Sequence, residues 1–489
     1  MKLRIRQPSR TPTHSIDAFF ESLAEDQRER AIGVILSGTA TDGTLGLEAI
    51  KAEGGITFAQ DESAKYDSMP RNAVAAGCVD FILAPENIAK ELARIAKHPY
   101  VVQPAFLSKL QREADQRGGA EAPLASGGHG TPRTGAVQAR AEAEAVPRQA
   151  GEAAFRNILL LLRNHCGVDF SLYKSTTIQR RIARRMVLNK LTSLDEYAQF
   201  LKGNAKELDA LYSDVLISVT SFFRTPEAFD VLKHKVFPKL LQRRGDKPVR
   251  VWVLGCSTGQ EAYSIAMAFV EAAENVPRTP TLQVFATDLN DALLDKARHG
   301  LYAKSLARDV SPQRLRRFFV EEEGGYRVSK PLRDMVVFAR QNLLSDPPFS
   351  RMDLISCRNL LIYLEPSLQK KVLPVFHYAL EPEGFLFLGA SESIGSFTNL
   401  FAPADKRQKI YTKKAAPTLS LQLPGKQERD THRSPGKILH ARTTVHQGIP
   451  EGFRAELNAQ READRVMVGQ FAPPGVLINA ELQILQFRG

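Results

Sequence analysis

The sequence contains 489 residues, of which 43% are hydrophobic and 25% are charged, and its formal net charge is +12. This length predicts two or three domains with buried cores, and the composition excludes a chain that is too polar to fold. The positive charge suits a nucleic acid, a membrane surface or an acidic protein as a partner. No apolar run approaches the roughly 20 residues of a membrane-spanning helix, so we expect no membrane insertion.

The four cysteines are widely separated, at positions 78, 166, 256 and 357. Their spacing matches neither a zinc finger nor a dense disulfide framework, and we therefore expect no metal site. Scattered single cysteines are typical of a reducing compartment, which predicts a cytoplasmic location. The N-terminal segment is basic but lacks the apolar centre of a secretory signal.

Residues 1–100 show the pattern of a small, partial α/β block. Strands are predicted at 31–36 and 56–60, and between them lie a glycine-containing turn (37–46) and a helix (45–53). The following segment, 101–151, is rich in Ala, Gly, Glu, Arg and Pro without apolar periodicity, which predicts a flexible linker.

Residues 152–230 have helical spacing and few strand signals, which predicts an all-helical domain. Within it, residues 171–190 contain six basic side chains and no acid. Ile178, Ile182 and Met186 form one apolar stripe on this basic helix. Two interpretations stay open: a solvated surface helix, or a docking face for an acidic surface. Nucleic acid fits the charge, but no interleaved aromatics are present to stack on bases.

Strand and helix patterns alternate over residues 231–413, which predicts a doubly wound, mostly parallel sheet. The predicted strands are 249–254, 282–287, 335–339, 353–357 and 384–390. A charged segment at 311–334 is expected to be a small insertion. Residues 414–450 read as a second linker, and residues 451–489 as a helix (about 452–466) followed by a strand-like run.

The glycine turn after the first of these strands predicts a nucleotide-like cofactor site. Gly255 and Gly259 lie between strand and helix, and Asp288 ends the next strand, where an acid suits a ribose diol. No Walker sequence or full dinucleotide fingerprint is present. Glu261 in the first helical turn disfavours a pyrophosphate and favours a cofactor with a cationic part, such as S-adenosylmethionine. The alternatives are a tightly packed turn and an acid that complements the helix dipole.

Further polar candidates lie near the other strand ends. The segment 341–344 is expected to frame an adenine, and Arg358 and Asn359 either point into the site or fix loop backbone. Thr220 and Arg224 would share a face if their segment were helical, and the arginine would suit a ligand carboxylate. Tyr363 lies inside an apolar run and is read either as a core tyrosine or as a hydrogen-bond donor at the site.

Five motifs in this order resemble the chemotaxis receptor methyltransferases of the CheR type, over residues 152–413. The motifs are VTSFFR (219–224), STGQEAYS (257–264), FATD (285–288), QNL (341–343) and CRNLLIY (357–363). The resemblance implies methyl transfer from S-adenosylmethionine to glutamate side chains of receptor helices. It places cofactor contacts at Ser218, Thr220, Arg224, Glu261, Asp288, Asn342, Leu343, Arg358 and Asn359. It also implies a receptor-docking role for the basic helix, through Lys174, Arg181, Arg184 and Arg185.

Residues of about 15–95 resemble the C-terminal part of CheB-type methylesterases, through LSGTATDG (36–43), AQD (59–61) and MPR (69–71). Asp42 would be the esterase aspartate. Because the family's serine and histidine motifs are absent before it, we expect no esterase activity and read this block as part of a longer fusion. Residues 451–489 weakly resemble the opening of a PAS-like domain. A nucleic-acid methyltransferase and a non-catalytic signalling scaffold are the competing interpretations.

Overall fold

The computed structural model describes residues 14–98 and 136–416, except 217–219, 246, 275, 278–279, 305–308 and 324, together with the backbone of strands 475–478 and 484–488. The chain divides into two compact units. The first comprises residues 1–224, 299–329 and 361–368, and the second comprises residues 225–298, 330–360 and 369–489. Among the described helices, none is both long and apolar enough to cross a lipid bilayer.

The N-terminal block is a three-stranded parallel sheet with helices between its strands. Its elements, in chain order, are α1 (Ser15–Gln27), β1 (Ile32–Ile35), α2 (Thr44–Ala52), β2 (Ile56–Gln60), α3 (Ser68–Ala75), β3 (Phe81–Leu83) and α4 (Pro85–Ile95). The α/β pattern expected here is confirmed, and the predicted second strand has the observed bounds. One apolar cluster joins α1 and α2 through residues such as Phe20 and Leu47, which are buried.

Four helices follow in the same unit: α5 (Ala136–Cys166), the basic helix α6 (Ser175–Leu188), α7 (Leu194–Leu201) and α8 (Ala205–Val215). The helical domain is thus observed, but α5 begins inside the segment that composition predicts as a linker. Residues 136–150 are rich in alanine and in glutamate, glutamine and arginine, which favour a helix even where no apolar stripe is present. Absence of periodicity therefore did not exclude a helix at this position.

The second unit is built on a seven-stranded sheet with the order β12-β13-β11-β10-β4-β5-β9. Five strands are parallel: β4 (Val249–Leu254), β5 (Leu282–Asp288), β9 (Val336–Arg340), β10 (Met352–Cys357) and β11 (Leu380–Leu388). The antiparallel edge is formed by β12 (Phe401–Asp405) and β13 (Ile410–Lys413). The predicted α/β fold with a mostly parallel sheet is confirmed.

The remaining α-helices among the described residues are α9 (Pro226–Val231), α10 (Phe237–Arg244), α11 (Gln260–Ala273), α12 (Asp291–His299), α13 (Pro312–Phe318), α14 (Lys330–Arg333) and α15 (Pro366–Ala379). A small antiparallel sheet of the first unit has the order β6-β8-β7, from β6 (Leu301–Tyr302), β7 (Phe319–Glu322) and β8 (Gly325–Val328). Its strands β7 and β8 lie within the charged segment 311–334 that was expected as an insertion. The prediction for a helix at 452–466 falls outside the described residues.

Strand β4 is buried along its whole length and is the central one of the five parallel strands. The chain first adds β5 and β9 on one side of β4 and then adds β10 and β11 on the other. The order of the strands therefore reverses between β4 and β10. In sheets of this kind, ligands bind beyond the carboxyl ends of the strands at such a reversal.

Candidate active site

The turn that leaves β4 depends on glycine at two positions. Gly255 has φ +62° and Gly259 has φ +91°, both in the left-handed region that favours glycine. A Cβ at Gly259 would lie 2.9 Å from Cβ of Ala297 and 3.1 Å from the ring of Phe338. The start of α11 is thus held close to the neighbouring elements by the absence of a side chain. The packing interpretation of Gly259 is confirmed, and it brings the helix N-terminus to the end of β4.

Glu261 lies in the first turn of α11 and is bound by two side chains from β10 and the turn after it. The hydroxyl of Ser356 donates to Oε1 at 2.6 Å, and Nη1 of Arg358 donates to Oε2 at 3.3 Å. The side chain of Arg358 is 2% exposed and that of Glu261 is 14% exposed. Glu261 therefore does more than complement the helix dipole, because Ser356 on β10 and Arg358 in the following turn hold both of its carboxylate oxygens.

Arg358 is further packed between two aromatic rings. Its guanidinium carbon lies 4.5 Å from the ring centroid of Phe387 and 5.3 Å from that of Phe229. Contacts of a guanidinium with ring faces add to its ion pair and limit its rotation. Of the two interpretations left open for Arg358, the structure supports a side chain that points towards Glu261.

Asp288 ends β5, the strand next to β4, and its carboxylate accepts two backbone hydrogen bonds. The N–H of Ser257 donates to Oδ2 at 2.8 Å, and the N–H of Asn290 donates to Oδ1 at 3.0 Å. Burial raises the pKa of Asp288 above its ordinary value, although these N–H groups act in the opposite direction. An ionised carboxylate has about four lone-pair sites, so Asp288 keeps capacity to accept from a ribose hydroxyl.

Asn342 follows β9 and forms a local turn. Its side-chain oxygen accepts from the N–H of Leu344 at 3.0 Å, while its own N–H donates to Asp346 at 2.7 Å. Leu343, between them, is half-buried. The neighbouring Gln341 is buried and donates to the carbonyl of Pro347 at 2.9 Å. The segment expected to frame an adenine is therefore a turn fixed by its own hydrogen bonds.

Asn359 adopts φ +59°, and its N–H donates to Oε2 of Glu392 at 2.9 Å. The same oxygen accepts from the N–H of Gly389 at 2.7 Å. Glu392 is buried and ties the turn after β10 to the end of β11. Sequence reasoning missed both Glu392 and Ser356. The only signal for Ser356 was its place at the polar end of a buried strand.

The remaining predicted site residues belong to the first unit. Ser218 lies outside the described residues. Thr220 and Arg224 lie in a turn in which Phe223 has φ +50°, so the helix on which they would share a face is not formed. Phe222 and Phe223 are buried, as expected for core residues. Tyr363 is half-buried and ends a short 3₁₀ helix, and its carbonyl accepts from the N–H of Lys174 at 2.9 Å.

Three family models match successive parts of the chain. The CheB methylesterase model matches residues 1–92, the all-alpha domain of CheR methyltransferases matches residues 153–216, and the SAM binding domain of CheR methyltransferases matches residues 218–410. The chemotaxis protein methyltransferase of Listeria monocytogenes is 36% identical over 234 residues, which are 48% of this chain and 87% of that protein. The chain belongs to the CheR family of chemotaxis protein methyltransferases.

Two further relatives align with different lengths of this chain. Chemotaxis protein methyltransferase 1 of Pseudomonas aeruginosa is 33% identical over 253 residues, covering 50% of this chain and 92% of that protein. An uncharacterized 104.1 kDa protein of Rhodobacter capsulatus is 40% identical over 402 residues, covering 81% of this chain. The chain spans only 40% of the length of the Rhodobacter protein. The esterase-like block is thus a recognisable CheB fragment ahead of a methyltransferase.

As a member of the CheR family, the chain is an S-adenosylmethionine-dependent methyltransferase, and the donor set of the second unit fits that cofactor. A carboxylate with two fixed oxygens, Glu261, suits the cationic amino group of a methionine moiety. A second carboxylate at the adjacent strand end, Asp288, suits vicinal hydroxyls. Glycine at 255 and 259 leaves the turn after β4 without a side chain at these two positions.

The basic helix α6 differs from the expected exposed docking face. The apolar stripe of Ile178, Ile182 and Met186 is buried as predicted, but Arg181 and Arg184 are buried too, at 5% and 0% exposure. Arg185 is bound by Glu207 through two hydrogen bonds of 2.8 and 2.5 Å. Side chains of α6 that looked available in the sequence are paired within the chain, because a tertiary neighbour covers their face. The half-buried Lys174 lies at the N-terminus of the helix.

Asp42, the predicted esterase aspartate, serves the backbone of the N-terminal block. Its carboxylate accepts from the N–H of Ile16 at 3.2 Å and of Asp17 at 3.0 Å, at the start of α1. His14 Nδ1 lies 3.8 Å from Oδ1 of Asp42 and 3.8 Å from Oδ2 of Asp17, which is beyond a hydrogen bond. These three side chains have the composition of a metal site. The carboxylates, however, already satisfy backbone donors of α1 and α2.

Proposed function

We propose that this chain transfers the methyl group of S-adenosylmethionine to glutamate side chains of chemotaxis receptors or related signalling proteins with acidic helical methylation sites. The observation that carries the proposal is the fixed carboxylate of Glu261, held by Ser356 and Arg358 next to the strand end that bears Asp288. The names of the Listeria and Pseudomonas relatives support a chemotaxis substrate. We further propose a cytoplasmic location, which the wide separation of the four cysteines in the sequence supports.

The chemistry needs little acid–base assistance. S-adenosylmethionine, when bound, supplies an electrophilic methyl group on a sulfonium. A glutamate acceptor is already ionised at neutral pH, so no general base is required. The task of the protein is to hold the acceptor oxygen in line with the methyl group, at roughly 3–3.5 Å. In the proposal, Glu261 binds the cationic amino group, and Asp288 binds the ribose hydroxyls.

Arg224 and Tyr363 are proposed to orient the acceptor carboxylate, and the resemblance of their motifs to the family supports this role. A phenol and a guanidinium can donate to a carboxylate without removing its nucleophilic lone pairs. The remaining proposed cofactor contacts are Thr220, Asn342, Leu343, Asn359 and Ser218. The esterase-like block is proposed to be inactive, and Asp42, whose oxygens cap α1, supports this.

The competing interpretation of the chain as a nucleic-acid methyltransferase loses its main support. That interpretation relied on the arginines of the basic helix, and two of them are buried against the rest of the chain. Buried guanidinium groups cannot release counterions from a phosphate backbone. The scaffold interpretation predicts a cofactor site without turnover, which an activity assay separates from the proposal.

The deciding experiment incubates the full chain with tritium-labelled S-adenosylmethionine and either receptor cytoplasmic domains or RNA. The proposal predicts base-labile label on the receptor domains, as expected for a methyl ester, and none on RNA. Glu261→Gln should abolish the label, whereas Glu274→Gln, just beyond the end of α11, should retain it. Label on RNA alone, or no label on any acceptor while the cofactor binds, would contradict the proposal.

A further inference from the structure

The basic helix α6 shares a hydrophobic core with the esterase-like block. Ala183 and Val187 of α6 are buried in one cluster with four residues of β2 and α4, namely Ile56, Phe58, Ile88 and Ile95. Val187, Phe58 and Ile95 have no exposed surface. The helix and the block therefore exclude water from each other, as the elements of one domain do.

A buried arginine connects the same two parts. The guanidinium of Arg184 is bound by Asp80, which precedes β3 in the block, and by Asp214 of α8, at 2.5 Å. Its Nε donates to the carbonyl of Gly55 at 3.0 Å. Burial acts to lower the pKa of Arg184, but the carboxylates of Asp214 and Asp80 outweigh it and raise the pKa. Removing one partner from such a group leaves an uncompensated buried charge.

Arg181 caps the C-terminus of α2, a helix of the esterase-like block. It donates to the carbonyl of Lys51, at 2.9 Å, and to that of Ala52, and these are the last two residues of α2. The final carbonyls of a helix lack intrahelical partners and attract cations. Side chains of the block also contact the backbone at the C-terminal end of α6. Arg94 of α4 donates to the carbonyl of Val187 at 3.0 Å, and Nε2 of His98, just after α4, lies 2.8 Å from the carbonyl oxygen of Leu191.

We propose that the basic helix of this chain is the attachment surface for the esterase-like block, so that Arg181 and Arg184 recognise a helix C-terminus and an aspartate of the block and not the methyl acceptor. A shared hydrophobic core is typical of a permanent interface, and removing one partner of a buried arginine is strongly destabilising. The CheB fragment is then a structural part of the methyltransferase's helical domain. The inference does not depend on which acceptor the enzyme methylates.

The first test replaces Arg184 by methionine in the full chain and follows thermal unfolding and hydrogen exchange. The proposal predicts a fall in Tm of about 10 °C and faster exchange at β2 and β3, which lie far from Arg184 in sequence. Arg316→Met, at an exposed arginine of α13 in the same unit, should change neither. A variant with normal Tm and normal exchange in the block, but a raised acceptor KM, would overturn the proposal.

The second test acts from the side of the block and is available if Arg184→Met does not fold. Asp80→Asn keeps the shape of the side chain but removes the charge that faces Arg184. The proposal predicts faster exchange of the α6 amides and unchanged affinity for S-adenosylmethionine, with the exposed Asp26→Asn as the matched control. Unaltered exchange in α6 would overturn it. Because Tm and hydrogen exchange report on structure and not on turnover, failure of methyl transfer would leave them unaffected.

Discussion

The candidate cofactor site of the second unit and the basic helix of the first unit were both predicted from short charged patterns, but the side chains of the two patterns find their partners in different ways. Glu261 and Asp288 sit at adjacent strand ends of one sheet, and their partners follow from that sheet's topology. In the N-terminal block, Arg181 binds the carbonyl of Lys51 and Arg184 binds Asp80, and these partners lie 130 and 104 residues away in sequence. A short charged pattern therefore predicted the chemistry of the two carboxylates, whose partners come from the same sheet. For the two arginines it predicted only that the charges need partners, and not which part of the chain supplies them.

The largest predicted effect concerns Gly259, in the turn that joins β4 to α11 at the candidate site. Gly259→Ala adds a Cβ at 2.9 Å from Ala297 to a residue with φ +91°. We expect a loss of about 2–5 kcal/mol in the free energy of unfolding, from strain and overpacking together. Urea unfolding measures it. Gly203→Ala, with φ +79° and nothing within 4 Å, separates the two causes and should lose only the strain component. Equal losses in both variants would exclude a packing role.

A second prediction concerns the carboxylate of Asp288. Asp288→Asn keeps one acceptor oxygen but loses the charge and one hydrogen bond to the ribose, which should weaken S-adenosylmethionine binding by about 10- to 100-fold. Calorimetric titration of the folded variant provides the measurement. Asp295→Asn, at an exposed position in the middle of α12, is the control. An affinity equal to that of the unmodified chain would remove Asp288 from the site.

A smaller effect is expected at Ser356, the residue that sequence reasoning missed. Ser356→Ala removes the 2.6 Å hydrogen bond to Glu261, and we expect about a tenfold loss of cofactor affinity through misplacement of that carboxylate. Ser264→Ala is a matched control, since its hydroxyl is also buried but donates to the carbonyl of Gln260. If the two variants bind the cofactor equally well, Ser356 does not position Glu261.

The smallest predicted effect is a pH dependence set by Asp288. Since burial raises its pKa, the native state keeps a proton that the unfolded state has lost, and stability falls as pH rises from about 4 through the raised value. Cofactor affinity should change in the opposite direction, because the ionised carboxylate accepts the ribose hydroxyls. Titrations and urea unfolding across this range test both trends. Persistence of both trends in Asp288→Asn would assign them to another group.

The sequence predicted most of the large sheet because each strand is a continuous apolar run that ends in polar residues. β4 was predicted with its observed bounds, and β5 and β10 to within one residue. The start of β11 was missed, because Glu381, Pro382, Glu383 and Gly384 do not look like a buried strand. Only the pairing with β10 at Met352 identifies this segment as part of the sheet.

The site itself was predicted in part. The carboxylates at 261 and 288 followed from the position of an acid relative to a strand end, which is local information. The roles of Ser356 and Glu392 depend on which strands are neighbours, and the order of the sheet is not written in any one segment. The burial of Arg184 required knowing that the N-terminal block packs on α6, a contact between parts of the chain that the sequence suggested were joined by a linker.

The most direct test of the account is calorimetric titration of the full chain and of Glu261→Gln with S-adenosylhomocysteine, the demethylated product. Glu261→Gln is nearly isosteric but cannot neutralise the amino group of the ligand or pair with Arg358. The account predicts saturable one-to-one binding by the unmodified chain and a loss of about 100-fold or more in the variant. Equal affinities, or no binding by the correctly folded chain, would contradict it.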